Sequence, residues 1–183
     1  IAPWDNIPLL SWLVLAGRCR HCRAPISFRY FVVELLTGAL FTGLWLVHGW
    51  TIQTPVYCLY TGALLLGTFV DLDHLILPDR VTLGGMAAGL VLSAAFPTLQ
   101  GQADVLSALR ESVLGLVAGY GILWLVAVVG RLVLRRDAMG LGDVKLLGAI
   151  GACLGWPAVL CSIFVSSLTG TLLGLGLIAA RRK

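Results

Sequence analysis

Charge is scarce in this chain. Asp, Glu, Lys and Arg make up only 12% of its 183 residues, and 58% are hydrophobic. Soluble domains carry about 25% charged residues, so the composition points to a polytopic membrane protein. Histidine is scarce too, with three residues. His48 and His74 fall in loops on opposite sides of the expected membrane, which excludes a metal site that unites them. No Ser-His-Asp or Cys-His set, P-loop or dinucleotide fingerprint is present. No basic segment is interleaved with aromatic residues, which excludes a nucleic-acid groove. There is no initiator Met and no visible signal peptide. The abrupt start at Ile1 and finish at Lys183 lead to the expectation that material is missing at both ends.

What the chain does have is apolar runs of roughly the 17 to 25 residues that cross a bilayer. They cover 31–47, 55–70, 81–96, 112–134, a short small-residue run at 144–154, and 157–180. All read as helices, because an open strand edge in lipid leaves backbone groups unpaired. The expected fold is all-α: a polytopic transmembrane helix bundle with six visible spans. Small residues such as Gly85, Gly115 and Gly119 are dense from the second span onward and suit close helix packing. GTLLG at Gly170 to Gly174 fits the same pattern weakly. Of the thirteen Lys and Arg residues, all but Arg110 fall on one side of these spans. That side is expected to be cytoplasmic, and its charges to meet anionic lipid. Residues 1–30 then form a small cytoplasmic lobe, and 31–183 the membrane domain.

Acids gather on the same side. Asp71, Asp73 and Asp79 lie in FVDLDHLILPDR, and Asp137 and Asp143 in RDAMGLGDVK. Asp79, after Pro78, reads as a helix cap, and Asp143 before an apolar run reads as one too. Asp71 has no such reason. It sits at the C-terminal end of the second span, against the helix dipole and near lipid, where ionisable groups are functional candidates. If Asp71 and Asp143 face each other, one carboxyl rises in pKa and the pair shares a proton. One then activates water while the other polarises a peptide carbonyl. Gly140 and Gly142 would allow close approach of a bound peptide and permit positive φ; a plain flexible turn explains them equally. Lys145 is expected to pair with Asp137 or Asp73, to anchor lipid phosphate, or to meet an acidic substrate group. Glu34, inside the first span, is either structural or substrate-contacting.

Cys19 and Cys22 form CRHC in the leading loop. A single CxxC is half of a four-ligand zinc site, and His21 between the cysteines is poorly placed to complete it. A permanent disulfide is not expected in a reducing compartment. The pair is either half a zinc knuckle or two ordinary thiols. Cys58, Cys153 and Cys161 read as small apolar residues within spans.

Three segments, DNIPLLSWLVLAGRCRHCRAPISFRYFVVELLTGALF, VDLDHLILPDRVTL and GLGDVKLLGAIGA, in that order, closely resemble bacterial type IV prepilin peptidases, the polytopic GxGD aspartic proteases of the inner membrane. The resemblance runs from Asp5 to the end of the chain. It places the catalytic aspartates of the DxDHxxLPD and GxGD motifs on Asp71 and Asp143. It also implies N-methylation of the new N-terminus from S-adenosylmethionine, and zinc held by Cys19 and Cys22 with an upstream CxxC. That upstream pair and a further C-terminal helix with an FGP-type segment are not visible here. Phe31 stands where the family usually places Pro after RY.

The expected function is therefore an aspartic endopeptidase of the bacterial cytoplasmic (inner) membrane, with its active site facing the cytoplasm. It cleaves the basic leaders of type IV prepilins and type II secretion pseudopilins after Gly and needs no cofactor for proteolysis. Prepilins, pseudopilins and the bilayer are its expected partners, and nucleic acid is not. A small transporter relaying protons or cations through its intramembrane acids is the alternative. A structural subunit whose acids are only caps is the third.

Overall fold

A computed structural model describes residues 3–135 and 139–181, and among them every regular element is helical. In chain order these are α1 (Leu10–Val14), α2 (Phe28–His48), α3 (Gln53–His74), α4 (Asp79–Ala95), α5 (Val105–Leu134), α6 (Leu141–Leu154) and α7 (Trp156–Arg181), with short 3-10 turns at Pro3–Asn6 and Pro97–Gln100. The chain forms two compact units, Ile1–Leu66 and Gly67–Lys183, so the division falls within α3.

In the first unit an ion pair and a ring cluster order the leading segment. Arg20 Nη2 lies 2.8 Å from Asp5 Oδ1. The CRHC stretch sits in a tight reversal closed by a bridge between Arg18 and Pro25, with the Ile26 N–H donating to the Gly17 carbonyl at 2.7 Å. Gly17 has φ +67, and a Cβ there would stand 2.9 Å from the Trp12 ring, so this position accepts only glycine. Trp12 meets Phe28 and Phe31 at centroid distances of 5.4 and 5.2 Å. The Phe that replaces the family's usual Pro thus fills an aromatic cluster. Helix α2 starts where Ser27 Oγ accepts the Arg29 N–H at 3.3 Å.

The second unit is built around α6. This helix is short, at 14 residues, and packs against α4, α5 and α7. Val144, Leu147, Gly148, Ala149, Gly151 and Ala152 are all buried. Close approach explains the small residues. A Cβ on Gly89 would lie 2.7 Å from the Ala152 carbonyl carbon, and one on Gly115 or Gly119 would run into the backbone of Gly151 or Leu147. Glycines four apart on α4 and α5 therefore form the groove that α6 fills. The carbonyls at the C-terminal end of α6 lack intrahelical partners, and side chains supply them. Ser112 Oγ donates to Ala152 O at 2.6 Å, and Gln100 Nε2 donates to Ala152 O at 3.1 Å and Cys153 O at 3.3 Å.

Among the described residues, four helices are long and apolar enough to cross a membrane: α2, α3, α5, and α7 as far as Ala180. The expected six spans are thus matched only in part. Helix α4 has 17 residues, the lower edge of the length that crosses a bilayer, and α6 has 14, so α6 crosses only with help from its flanks. The apolar run of α6 is buried among α4, α5 and α7. Gly170 and Gly174 of the GTLLG stretch have nothing within 4 Å of a Cβ, so these two glycines do not serve a close helix approach among the described residues.

Candidate functional site

Two helix ends and one connection build a cleft of about 560 Å³. Asp71 comes from the last turn of α3, residues 75–78 run between α3 and α4, and Asp79 opens α4. Gly140, Leu141, Gly142, Asp143 and Lys145 come from the start of α6. Helix α3 ends because Leu75 turns left-handed, with φ 53, while its N–H donates to the Asp71 carbonyl at 2.7 Å. Asp71 is thereby held at the negative end of the α3 dipole, while Asp143 sits in the first turn of α6, at the positive end of another.

The carboxyl of Asp143 is pushed above its ordinary range, first by burial and then by the negative charge of Asp71. Asp143 keeps an exposed edge, so its burial is partial and the neighbouring acid matters. The two acids singled out in the sequence therefore line one cleft and interact through it.

The capping expectations need correction. The N-cap of α6 is Gly140, and Asp143 is the third helical residue. The N-cap of α4 is Pro78, with no side-chain cap bond. Asp79 instead accepts a 2.7 Å hydrogen bond from Lys145 Nζ, within an ion pair. Lys145 thus pairs with Asp79, a partner the sequence did not single out; Asp137 lies outside the described residues. The glycines also differ from expectation. Gly140 has φ −68, and Gly142 is not among the glycines with positive φ. A Cβ on Gly142 would lie 3.1 Å from Leu77 Cβ, so this glycine lets the α3–α4 connection close on α6. Gly140 is open, with Asp143 Oδ2 3.7 Å from where its Cβ would be. Leu77 and the Asp79–Lys145 pair escaped the sequence reading; the LPD of the first acidic stretch was the available signal.

The remaining candidates belong to the first unit. Glu34 Oε2 accepts the Leu9 N–H at 2.8 Å, at a residue with φ 64; it secures the strained entry to α1. Cys19 has its thiol held below the ordinary value, first by the Cys22 backbone N–H, then by that of His21, then by the Cys22 side chain. That environment suits a thiolate ligand. Among the described residues, however, no third His, Cys, Asp or Glu joins them, so the pair by itself does not complete a zinc site. Cys153, expected to be merely apolar, also points its Sγ at the Gly85 carbonyl, 3.5 Å away.

These features define a class: a multi-pass helical membrane protein in which two carboxylates from different helix ends converge on one cleft. The chain belongs to the type IV leader peptidase family, whose model matches residues 58–175; the bacterial peptidase A24 N-terminal domain matches residues 1–48. It is 44% identical to the prepilin leader peptidase/N-methyltransferase of Aeromonas hydrophila, over 99% of this chain and 60% of that protein. Identity to the proteins of the same name from Neisseria gonorrhoeae and Myxococcus xanthus is 42% and 39%, over 93% and 98% of this chain and 57% and 51% of theirs. The chain thus spans little more than half the length of these relatives. No solved structure matches it.

Proposed function

We propose that this chain carries the proteolytic centre of a membrane-embedded aspartic endopeptidase that removes the leaders of type IV prepilins and type II secretion pseudopilins. The observation that carries the reading is the shared cleft of Asp71 and Asp143, in which Asp71 raises the Asp143 carboxyl. Family membership supplies the substrate class. With one proton between them, the ionised carboxylate takes a proton from water as it attacks the scissile carbonyl. The protonated partner donates to the carbonyl oxygen, and collapse expels the amine. No acyl-enzyme forms. The roles of base and acid belong to the pair. Gly140 leaves the backbone open beside Asp143 for an extended peptide. The substrate's hydrophobic helix would lie in the bilayer, and its scissile bond would meet the cleft at the cytoplasmic boundary of the inner membrane.

The relatives' names also carry N-methyltransferase, and we extend that activity, with S-adenosylmethionine as methyl donor, to the whole protein only. The cleft offers no aromatic face for an adenine ring, so no methyl-transfer step is derived from it.

The test is leader cleavage of a prepilin in membranes containing the whole protein. Asp71→Asn and Asp143→Asn should each lower the rate about a hundredfold or more while the protein remains inserted. Full cleavage by either variant would exclude the dyad. Asp73→Asn should retain most activity; loss equal to that of Asp71→Asn would move the role to Asp73. A transporter or a structural subunit predicts no cleavage by any form.

A further inference from the structure

The Asp79–Lys145 ion pair has no part in the acid–base steps above, yet it lines the same cleft. Its Nζ–Oδ1 distance is 2.7 Å, and the Asp79 side chain is 62% exposed while that of Lys145 is 28% exposed. An exposed pair adds little to stability, so a folding role explains it poorly. Its position is more telling. Asp79 follows directly on residues 75–78, and Asp71 stands one helical turn before that connection. Lys145 stands two residues after Asp143. The bridge therefore ties together the two segments that each carry one acid. Leu77 against Gly142, a contact that leaves no slack for a Cβ, is the second fastening between the same segments.

We propose that the Lys145–Asp79 ion pair is a positioning latch that fixes the separation of Asp71 and Asp143 across the cleft. The inference rests on the proposed peptidase reading. Lys145 and Asp79 are positioning residues and do not touch the reacting atoms. Among the described residues, the titratable groups that line the cleft are Asp71 from α3, Asp79 from α4, and Asp143 and Lys145 from α6. The other charged residues near these ends by chain position, Asp73, His74, Arg80, Arg131 and Arg135, do not line it, and neither does Cys161 of α7. The latch is taken to act on the dyad through distance, and the charges of its own two members are the competing through-space route. Two carboxylates held close titrate in two well-separated steps, and separating them draws the steps together.

The experiment compares Lys145→Met, Asp79→Asn, Lys145→Arg and the charge-swapped Asp79→Lys/Lys145→Asp in the whole protein. Prepilin cleavage is followed across pH. Each neutralised variant should lose about tenfold to a hundredfold in kcat with little change in KM. Its bell-shaped profile should narrow from the alkaline side. Lys145→Arg should keep the width, and the charge swap should recover it at least in part. Opposite shifts of the whole profile in Lys145→Met and Asp79→Asn would overturn the latch, because they would mean a through-space charge effect. So would a loss of rate with unchanged width, the signature of a purely structural role.

A second readout needs neither turnover nor wild-type levels of protein. Carbodiimide labels protonated carboxyls, and peptide mass spectrometry locates the label on Asp143. In the latch variants labelling should fade at lower pH than in the wild type, and an unchanged fading point overturns the proposal. If no form cleaves prepilin but labelling at Asp143 responds to the latch, the peptidase reading fails and the latch stands. If the wild type cleaves and labelling does not respond, the latch fails and the peptidase reading stands.

Discussion

Asp143 shows at the residue scale how the placement proposed for catalysis opposes stability. Its carboxyl is raised from the ordinary 3.8 by burial and by Asp71. Between that value and the folded one, the folded state keeps a proton that the unfolded chain has lost. Stability therefore falls as pH rises through this window, and the deficit is fully present above it. Asp143→Asn removes the charge and should melt at a higher temperature than the wild type at pH 7, with the gap closing as pH falls toward 4. Thermal unfolding in detergent at a series of pH values reads this directly. A variant less stable at neutral pH would show that the Asp143 carboxylate is satisfied by contacts its raised pKa excludes. The local sequence revealed Asp71 and Asp143 because one acid defied the helix dipole and the other followed GLG. It did not reveal the partner of Lys145. A lysine reaches several acids by chain proximity, and only the closure of residues 75–78 on α6 selects Asp79.

Among the elements, α6 is where pattern and structure diverge most. Hydropathy alone reads 144–154 as a short span, since a run of small apolar residues looks the same whether lipid or protein surrounds it. The groove on α4 and α5 shows which neighbours bury it, and that groove depends on glycines far away in sequence. The helix ends diverge for another reason. Helix α5 begins at Val105, where the Asp104 carboxylate accepts the Ser107 N–H at 2.8 Å. The span expected at 112–134 therefore extends seven residues back through polar sequence that hydropathy ignores. Helix α1, only five residues long, carries no periodic signal. The groove makes a paired prediction. Gly119→Ala drives a Cβ into the Leu147 carbonyl and should destabilise the protein by about 1–3 kcal/mol, as overpacking does. Gly121→Ala, with nothing within 4 Å, should be neutral or stabilising by up to about 1 kcal/mol through helix propensity. Equilibrium unfolding in mixed micelles measures both, and equal effects at the two positions would remove the groove from the account of α6.

For the whole molecule, the lopsided charge distribution is the strongest signal in the sequence, and it bears on orientation, a relation between the chain and its bilayer. The four crossing helices and the family support a multi-pass membrane protein. We propose that the arginine-rich face meets the cytoplasm, by the positive-inside preference. Arg18, Arg20 and Arg23 surround the CRHC stretch, and Cys22 there is exposed, which makes it a reporter. With every other cysteine of the whole protein replaced, Cys22 should react with a membrane-impermeant maleimide in inverted inner-membrane vesicles. In right-side-out vesicles it should stay unlabelled until detergent is added. Wild-type cleavage activity of this variant shows that the fold is retained. The reverse pattern would put the leading segment outside the cell. By the alternation of the spans it would turn the cleft of Asp71 and Asp143 outward as well, away from a basic leader that is retained in the cytoplasm by the same positive-inside preference. Orientation and substrate access thus stand or fall on a single labelling result.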